Sequence, residues 1–293
     1  MPVAKVQRVA PSLPKRSTSS GRALPRPFLK WVGGKTQLLD RIAAHVPDVV
    51  DRYFEPFVGG GAVFFRFGGE QAVVGDANDE LIHCWSIVRD RPDDLIEALR
   101  EHVYEKDHYY SVRALQPAEL DPIRRAARTV YLNRTGFNGL YRVNKSGCFN
   151  VPFGRYKNPR ICDEENLRAC SAALANTDLR VGEFDTCVEG AGEGDFVYFD
   201  PPYAPVSRTA NFTDYRPGGF GWEDHIRLAK TLERLAQRGV RVVLSNSDAP
   251  GVRRLYEDLK APNLKVHIVK ARRSVNSKAS RRGKVNEVLV TAG

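Results

Sequence analysis

Four consecutive residues that could hold an amine follow the apolar run 196–199: Asp200, Pro201, Pro202 and Tyr203. An exocyclic amine on an aromatic base is a weak nucleophile, because its lone pair is shared with the ring. The Asp200 carboxylate and the Pro201 carbonyl could accept both N–H groups and turn that lone pair outward, while the prolines stiffen the turn. Tyr203 offers a flat face for a base removed from its stack. The alternative is a strand-ending turn with ordinary turn residues.

A second group of residues combines a buried strand (residues 53–58), a glycine turn (59–61) and an apolar helix start (62–65). Glycines at such a turn let the backbone approach a ligand closely, as in dinucleotide-binding folds. About twenty residues after Glu55, another short strand ends in Asp76, where an adenosine ribose would present its hydroxyls. Three consecutive glycines do not make G-x-G-x-x-G, which disfavours dehydrogenase chemistry. A tight turn in an α/β domain is the alternative reading.

Near the N-terminus, the sequence Gly34-Lys35-Thr36 suggests a phosphate-binding P-loop. That motif requires an earlier glycine at the position where Leu29 stands, so the spacing excludes it. Lys35 could instead direct its ammonium at a carboxylate, such as that of a cofactor's methionine portion, while Trp31 covers an apolar part of the same ligand. In isolation, either residue is more often surface charge or core filler.

Together these motifs resemble the Dam-type DNA adenine-N6 methyltransferases of the D12 class (class alpha), which have the same order of cofactor motif, glycine loop, recognition region and Asp-Pro-Pro-Tyr. The resemblance covers roughly residues 27 to 291 and includes a specific central block, residues 131–145 and 149–157. It implies S-adenosylmethionine as cofactor, double-stranded DNA as partner, GATC as the site and no metal. It also implies an enzyme that flips its target adenine out of the duplex.

The resemblance also implies roles for single residues. Asp200, Pro201, Pro202 and Tyr203 would serve the target adenine. The implied cofactor-binding residues are Trp31, Lys35, Glu55, Phe57, Gly59, Gly61, Asp76 and Asp200. The implied DNA-binding residues are Lys30, Phe137, Asn138, Leu140, Arg142, Asn144, Pro152, Arg155 and Tyr156. Phe137 stands where an aromatic residue, often tyrosine in the family, enters the space left by the flipped base.

The central block indicates nucleic acid independently of the resemblance. No acid lies between Asp121 and Asp163, whereas nine basic residues do: Arg124, Arg125, Arg128, Arg134, Arg142, Lys145, Arg155, Lys157 and Arg160. Nine uncompensated cations interleaved with aromatic residues predict a phosphate-binding face, with a solvated charged surface as the alternative. Residues 143–149 predict a hairpin with Ser146-Gly147 at its turn, a ribbon that could enter the major groove with Arg142 as a base contact.

Basic charge is concentrated in three segments of the chain, whose net charge is +10. Residues 1–26 carry +6, the central block +9, and the residues from Lys270 onward +6, so the remainder is acidic, as expected for a DNA-facing surface on an otherwise acidic enzyme. Residues 1–26 are expected to form a disordered basic tail. The five cysteines form no C-x-x-C pair, which indicates reduced thiols in a cytosolic protein. The resemblance implies a cytoplasmic, nucleoid-associated protein of prokaryotic or phage type.

Apolar runs predict strands at 52–56, 72–75, 179–183, 196–199, 240–245, 265–270 and 286–291, with helices beginning near Thr36, Ala62, Asp79 and Glu223. This alternation predicts an α/β fold with a mostly parallel sheet covered on both faces. The resemblance makes it a Rossmann-like methyltransferase fold of seven strands ending in an antiparallel hairpin. Residues 27–84 and 179–293 would form the catalytic domain, and 85–178 an inserted helical and β-hairpin recognition domain. The loop 204–222 could close over the adenine or be passive.

Two other readings of the residues remain. A methyltransferase acting on RNA or protein amines could use the same turn, and a noncatalytic DNA-binding relative could keep the fold. No apolar run approaches the ~20 residues needed to span a bilayer, and no secretory signal is expected. We expect a monomer or a transient dimer on DNA, with no obligate protein partner and no membrane association.

Overall fold

The computed structural model of the protein describes residues 24–204, 219–272 and 284–293. The described strands are β1 (Tyr53–Glu55), β2 (Ala72–Asp76), β3 (Thr177–Val181), β4 (Phe196–Phe199), β5 (Arg241–Ser247), β6 (Lys265–Arg272) and β7 (Lys284–Ala292). The described helices are α1 (Leu39–Ala43), α2 (Ala62–Phe67), α3 (Asp79–Asp90), α4 (Pro92–Arg100), α5 (Lys106–Ala114), α6 (Pro122–Thr135), α7 (Glu164–Leu174), α8 (Phe184–Cys187), α9 (Trp222–Gln237) and α10 (Pro250–Glu257). Most of the predicted basic tail and of the loop 204–222 lies outside the described residues.

The seven strands form one sheet in the order β3-β2-β1-β4-β5-β7-β6. All neighbours pair in parallel except β7, which is antiparallel to both β5 and β6. The predicted Rossmann-like fold with its final antiparallel hairpin is therefore confirmed. Strand order reverses between β1 and β4, and in open α/β sheets this switch point opens a ligand-binding crevice beyond the carboxyl ends of the strands.

Alternate residues of the central strands enter two separate cores. Tyr53 and Tyr198 pack with α2 and α3 on one face, whereas Phe54 and Phe199 pack with α9 on the other. Successive side chains of a strand point to opposite faces, so a sheet covered on both sides needs apolar residues at every position. This requirement explains the continuous apolar run Phe196–Phe199 that precedes the Asp-Pro-Pro-Tyr turn.

The helices between β2 and β3 share a core with the sheet. The ring of Trp85, in α3, stacks on Phe65, in α2, with centroids 5.4 Å apart, and both side chains are buried. The predicted domain boundary between residues 84 and 85 falls inside α3, and the one between 178 and 179 falls inside β3. A separate recognition domain therefore stays a prediction, with neither of its proposed boundaries in a linker.

The predicted hairpin is present. Val143 and Phe149 form an antiparallel bridge, and the turn between them is closed by Gly147 N–H donating to the Asn144 carbonyl at 3.0 Å. Gly147 has φ of 76°, typical of the left-handed residue that follows a type I turn in a three-residue hairpin loop. The hairpin predicted over residues 143–149 is therefore confirmed, and its entry into the major groove stays a prediction.

Candidate active site

The Asp-Pro-Pro-Tyr turn lies at the switch point of the sheet. β4 ends at Phe199, so Asp200 is the first residue beyond its carboxyl end, and β1 ends beside it at Glu55. Asp76 ends β2 at the same edge, and the polar residues Ser245–Ser247 end β5. Parallel strand order thus collects groups that are far apart in the sequence. We call this region the catalytic crevice.

Asp200 is held by an ammonium and a hydroxyl. Lys35 Nζ lies 2.7 Å from its carboxylate, and Ser245 Oγ donates to Oδ1 at 3.0 Å. The side chains of Lys35 and Asp200 are only 7% and 17% exposed, so the ion pair is poorly screened by water. Burial raises the pKa of Asp200, whereas the charge and hydrogen bond of Lys35 and the hydrogen bond of Ser245 oppose that rise. The pairing of Lys35 with Asp200 was not among the sequence predictions.

Tyr203, the last residue of the turn, is held by a residue of the last strand, β7. Its hydroxyl donates to Glu287 Oε2 in β7 at 2.8 Å, and Lys35 Nζ lies 4.7 Å from the centre of its ring. The next residue is fastened to β5, because Ser247 Oγ donates to the Ala204 carbonyl at 2.7 Å. The ring that would stack on a base therefore has a defined orientation.

Sequence reasoning missed the residues that hold this turn: Ser245, Asn246, Ser247 and Glu287. Asn246 Oδ1 accepts from the Ala204 N–H at 3.3 Å. The only signal available was the change from the apolar run of β5 to Ser-Asn-Ser at its carboxyl end. A change of this kind marks the ligand side of a parallel strand without naming a partner.

Glu55 and Asp76 are the acidic residues on the predicted cofactor side of the crevice. Glu55 is 2% exposed and accepts a hydrogen bond from Tyr53 OH at 2.6 Å. Burial raises the pKa of Glu55 to about 8, against the effect of the Tyr53 hydrogen bond. Burial also raises the pKa of Asp76, whose carboxylate accepts from the backbone N–H groups of Asn78, at 3.0 Å, and Gly59, at 3.2 Å.

The glycine turn is required by its neighbours. Gly59 and Gly61 have φ of 48° and 70°, in the left-handed region that disfavours side chains. A Cβ on Gly61 would lie 2.2 Å from the ring of Trp85, and one on Gly59 would lie 2.6 Å from the ring of Trp31. The predicted close approach to these glycines is thus made in part by tryptophan side chains. Trp31, a predicted cofactor residue, is partly exposed beside them.

Phe57 lies on the other side of the glycine turn, in an aromatic cluster. Its ring stacks on Phe184 at 5.5 Å and meets Phe220 edge-to-face at 5.6 Å. The side chain is half-buried. Its predicted role in cofactor binding therefore stays a prediction beside an evident packing role.

We call the nine predicted DNA-binding residues together the recognition face: Lys30, Phe137, Asn138, Leu140, Arg142, Asn144, Pro152, Arg155 and Tyr156. Six of them are exposed, whereas Lys30, Leu140 and Tyr156 are half-buried. Asn133, in α6, joins the segments that carry Lys30 and Gly139 by accepting from Lys30 N–H and donating to the carbonyls of Lys30 and Gly139. Lys30 Nζ lies 4.0 Å from the centre of the Tyr156 ring, and Phe137 is 48% exposed.

Polar side chains of this face hydrogen-bond to near neighbours in the sequence. Arg142 Nε donates to Asn150 Oδ1 at 2.6 Å. Asn144 Oδ1 accepts from the N–H groups of Ser146 and Cys148 at 3.0 and 2.9 Å. A base contact by Arg142 would therefore use its remaining guanidinium donors or replace the bond to Asn150.

The prediction of nine uncompensated cations was wrong. Arg125 pairs with Glu80 and Asp79 in α3, and Arg160 pairs with Asp163. Arg128 is 4% exposed and donates to backbone carbonyls. Arg134 is half-buried, and burial lowers its pKa. Arg124 lies 3.7 Å from the Asp121 carboxylate. Four exposed cations remain for which the described part of the chain provides no ion pair: Arg142, Lys145, Arg155 and Lys157. The compensating acids come from a different helix or from the ends of the block, which a count along the segment does not include.

Within residues 24–204, 219–272 and 284–293, no group of three or more histidine, cysteine, aspartate or glutamate side chains is arranged to hold a metal ion. The same ranges contain no helix with the length and apolar character needed to cross a membrane. Three of the cysteines, Cys84, Cys170 and Cys187, are buried. Burial raises the pKa of Cys84 and raises that of Cys187 to about 12, so these two thiols are not ionised at neutral pH.

Comparisons with known proteins agree with this geometry. The family model of D12 class N6 adenine-specific DNA methyltransferases matches residues 31–275. The chain is 44% identical over 274 residues to type II methyltransferase M1.LlaDCHI of Lactococcus lactis subsp. cremoris, which covers 91% of this chain and 95% of that protein. It is 40% identical over 268 residues to the DNA adenine methylase of Escherichia coli strain K12, covering 90% and 94% of the two chains. Type II methyltransferase M.MjaIII of Methanocaldococcus jannaschii is 40% identical over 279 residues, covering 88% and 95%.

Proposed function

This chain belongs to the D12 class of N6 adenine-specific DNA methyltransferases, and we propose that it methylates the adenine of GATC in duplex DNA after that base leaves the stack. The observation that carries the proposal is the Asp200 carboxylate at the switch point, held by Lys35 and Ser245 beside the oriented ring of Tyr203. The resemblance found in the sequence thus predicted the family correctly.

The family's reaction implies S-adenosylmethionine as methyl donor, and the residues of the crevice fit it. Asp76 is partly exposed at the end of β2, and its two backbone hydrogen bonds leave carboxylate lone pairs for ribose hydroxyls. The glycine turn brings backbone to the crevice, and Trp31 offers an apolar surface beside it. When bound, S-adenosylmethionine supplies the electrophilic methyl group. Lys35, Glu55 and Phe57 complete the proposed pocket.

We assign the acceptor side of the reaction to the Asp-Pro-Pro-Tyr turn. Lys35 Nζ donates to Asp200 Oδ2 and also lies 2.7 Å from Oδ1, which accepts from Ser245. A carboxylate has about four acceptor positions, so a position remains for an amine. Asp200 and the Pro201 carbonyl would accept the two N6 hydrogens and leave the nitrogen lone pair directed at the methyl group. Tyr203 would stack on the adenine ring. Positioning and electrostatics of this kind can supply much of a rate enhancement.

The recognition face supports a duplex substrate. The four exposed cations of the central block are available to phosphates, and Arg142 precedes the turn closed between Asn144 and Gly147. Flipping a base costs a few kcal/mol, which is lowered when a side chain occupies the space left in the stack. Phe137, exposed at the end of α6, is the residue we assign to that space.

Methyl transfer from labelled S-adenosylmethionine to two duplexes tests the proposal. One duplex contains GATC, the other GTAC in the same flanks, and a GATC duplex already methylated at N6 on both strands is the control. Label on the unmethylated GATC duplex alone is the expected result. Label on both unmethylated duplexes would contradict the GATC assignment, and label on neither would contradict duplex DNA as the substrate.

A further inference from the structure

We propose that Ser245 is a positioning residue for Asp200, and that the buried hydroxyl of Tyr198 sets the direction in which Ser245 donates. The inference rests on the proposed role of Asp200 toward the adenine amine. It adds to that role a hydrogen-bond chain on the protein side of the carboxylate, Tyr198–Ser245–Asp200.

This hydrogen-bond chain is formed by residues of the neighbouring strands β4 and β5 and of the turn that follows β4. Tyr198 OH lies 2.9 Å from Ser245 Oγ, which lies 3.0 Å from Asp200 Oδ1. Tyr198 and Ser245 are both completely buried. The pairing of β5 with β4 ends at Leu244, and Ser245 itself pairs with Leu289 of β7, so its backbone is held in the sheet from the β7 side.

The direction of the hydrogen bonds follows from the number of protons. A carboxylate only accepts, so the Ser245 hydroxyl must give its single proton to Asp200. The hydrogen bond between Tyr198 and Ser245 then requires Tyr198 to donate. Burial raises the pKa of Tyr198 well above its usual value, which keeps that proton on the phenol. Ser245 is thereby kept as a donor to Asp200.

Lys35 alone does not define the plane of the carboxylate. An ammonium on a flexible four-carbon chain is a point charge with rotatable donors, and Lys35 also donates to the Gly33 carbonyl. A second donor, from a strand to Oδ1, opposes rotation of the carboxylate about its Cβ–Cγ bond. The acceptor positions left for the amine then keep a fixed direction.

The same hydrogen bond favours the ionised form of Asp200. The charged or titratable groups around the carboxylate are Lys35, Glu55, Tyr198 and Tyr203, with Glu287 behind Tyr203. Burial raises the pKa of Asp200, and the Ser245 bond lowers it. Loss of Ser245 should raise the pKa further, so a smaller fraction of the enzyme would have the carboxylate at a given acidic pH. The acidic limb of the pH profile of kcat should therefore move to higher pH.

The test compares Ser245→Ala with the matched control Ser171→Ala, which removes a hydroxyl that donates to the Arg89 carbonyl away from the crevice. We expect Ser245→Ala to lower kcat about 10- to 100-fold, as for loss of a hydrogen bond to a charged group, with KM for S-adenosylmethionine and Kd for DNA unchanged. The acidic limb of the pH profile of kcat should lie at higher pH in Ser245→Ala than in the wild type. An unchanged kcat or acidic limb in Ser245→Ala would overturn the proposal, as would an equal shift in Ser171→Ala.

Tyr198→Phe keeps the test decisive if Ser245→Ala does not fold. It leaves the Ser245 hydroxyl but removes the group that orients it, so we expect a smaller loss of kcat and a shift of the acidic limb in the same direction. Adding Tyr198→Phe to Ser245→Ala should cause no further loss, because both act through one hydrogen bond. Additive losses of kcat in the double variant would refute the hydrogen-bond chain Tyr198–Ser245–Asp200.

A measurement without DNA or cofactor separates this inference from the proposed function. The carboxyl carbon of Asp200 can be titrated by 13C NMR in aspartate-labelled protein and assigned with Asp200→Asn. A higher Asp200 pKa in Ser245→Ala supports the inference even if the wild type methylates no GATC duplex. An unchanged pKa refutes the inference even if the wild-type enzyme is active.

Discussion

The catalytic crevice and the part of the recognition face around Arg142 and Asn144 differ in how far their hydrogen-bond partners lie along the chain. Asp200 bonds to Lys35, 165 residues away, and to Ser245, 45 residues away. On the recognition face, Arg142 bonds to Asn150, 8 residues away, and Asn144 bonds within 4 residues. The Asp200 carboxylate is therefore held by distant parts of the chain, whereas the side chains predicted to contact bases are held by a local turn.

This difference suits the two tasks. Groups that act on a transition state work best when they are already in place, because no reorganisation is then needed during the reaction. A surface that meets DNA must exchange its own hydrogen bonds for contacts with bases and phosphates, and short-range bonds between exposed side chains are readily exchanged. Changes in the crevice should thus affect turnover, and changes in the recognition face should affect binding.

The strongest test of this separation is Asp200→Ala. We expect turnover to fall by at least about 10²- to 10³-fold, because the amine loses a charged acceptor in a poorly solvated site. The Kd for a GATC duplex should stay close to the wild-type value. Single-turnover methylation and fluorescence anisotropy measure the two quantities. Asp178→Ala, which removes an exposed carboxylate paired with Arg180, is the control.

Retained turnover in Asp200→Ala would refute the role of the carboxylate. A loss of DNA affinity equal to the loss of turnover would refute the separation of the two regions.

A pair of glycine substitutions compares how tightly the catalytic crevice and the recognition face are packed. Gly61→Ala places a Cβ against the Trp85 ring at a φ of 70°, so we expect the free energy of unfolding to fall by about 3 kcal/mol from overpacking and backbone strain. Gly147→Ala has a similar φ of 76° but nothing within 4 Å of the new Cβ, so only the strain of about 1 kcal/mol remains. Chemical denaturation of both variants measures the difference. Equal losses would mean that packing around Gly61 adds nothing.

Arg142→Ala tests base reading on the recognition face. A bidentate arginine contact is worth about 1–3 kcal/mol of discrimination, so the preference for GATC over duplexes with one altered base should fall by that amount. Competition binding with a set of single-base variants measures it. Unfolding should be unaffected, since the side chain is exposed.

Lys157→Ala is the matched control for Arg142→Ala. Lys157 is an exposed cation with no predicted base contact, so its loss should weaken binding to all duplexes equally and reduce the slope of log K against log salt by about 0.9. If Arg142→Ala behaves in the same way, Arg142 contacts a phosphate and the predicted base contact is wrong.

The central strands β1, β2, β4 and β5 were predictable from the sequence because their residues are mostly apolar and buried. β4 was predicted at its observed bounds, and β3 begins at Thr177 rather than at residue 179. α1 begins at Leu39, after a turn, where a helix was predicted from Thr36. Local pattern fixes the type of an element better than its ends.

The contents of the candidate site were only partly predictable. Asp200 was evident because it directly follows an apolar strand, but Ser245 and Glu287 have no spacing signature that distinguishes them from other polar residues at strand ends. The net charge of the central block was overestimated, because Arg125 meets Glu80 and Asp79 only when α6 packs against α3.

The sequence by itself determined the family, the strands and the Asp-Pro-Pro-Tyr turn, because these depend on residues close together along the chain. Only the tertiary structure decided that Lys35 and Ser245 share the Asp200 carboxylate, that Glu287 holds Tyr203, and that four of the nine basic residues of the central block remain exposed and unpaired within the described part of the chain. The physical reason is strand order. The order of the strands in the sheet, β3-β2-β1-β4-β5-β7-β6, decides which strand ends are neighbours, and side-chain polarity alone does not encode that order.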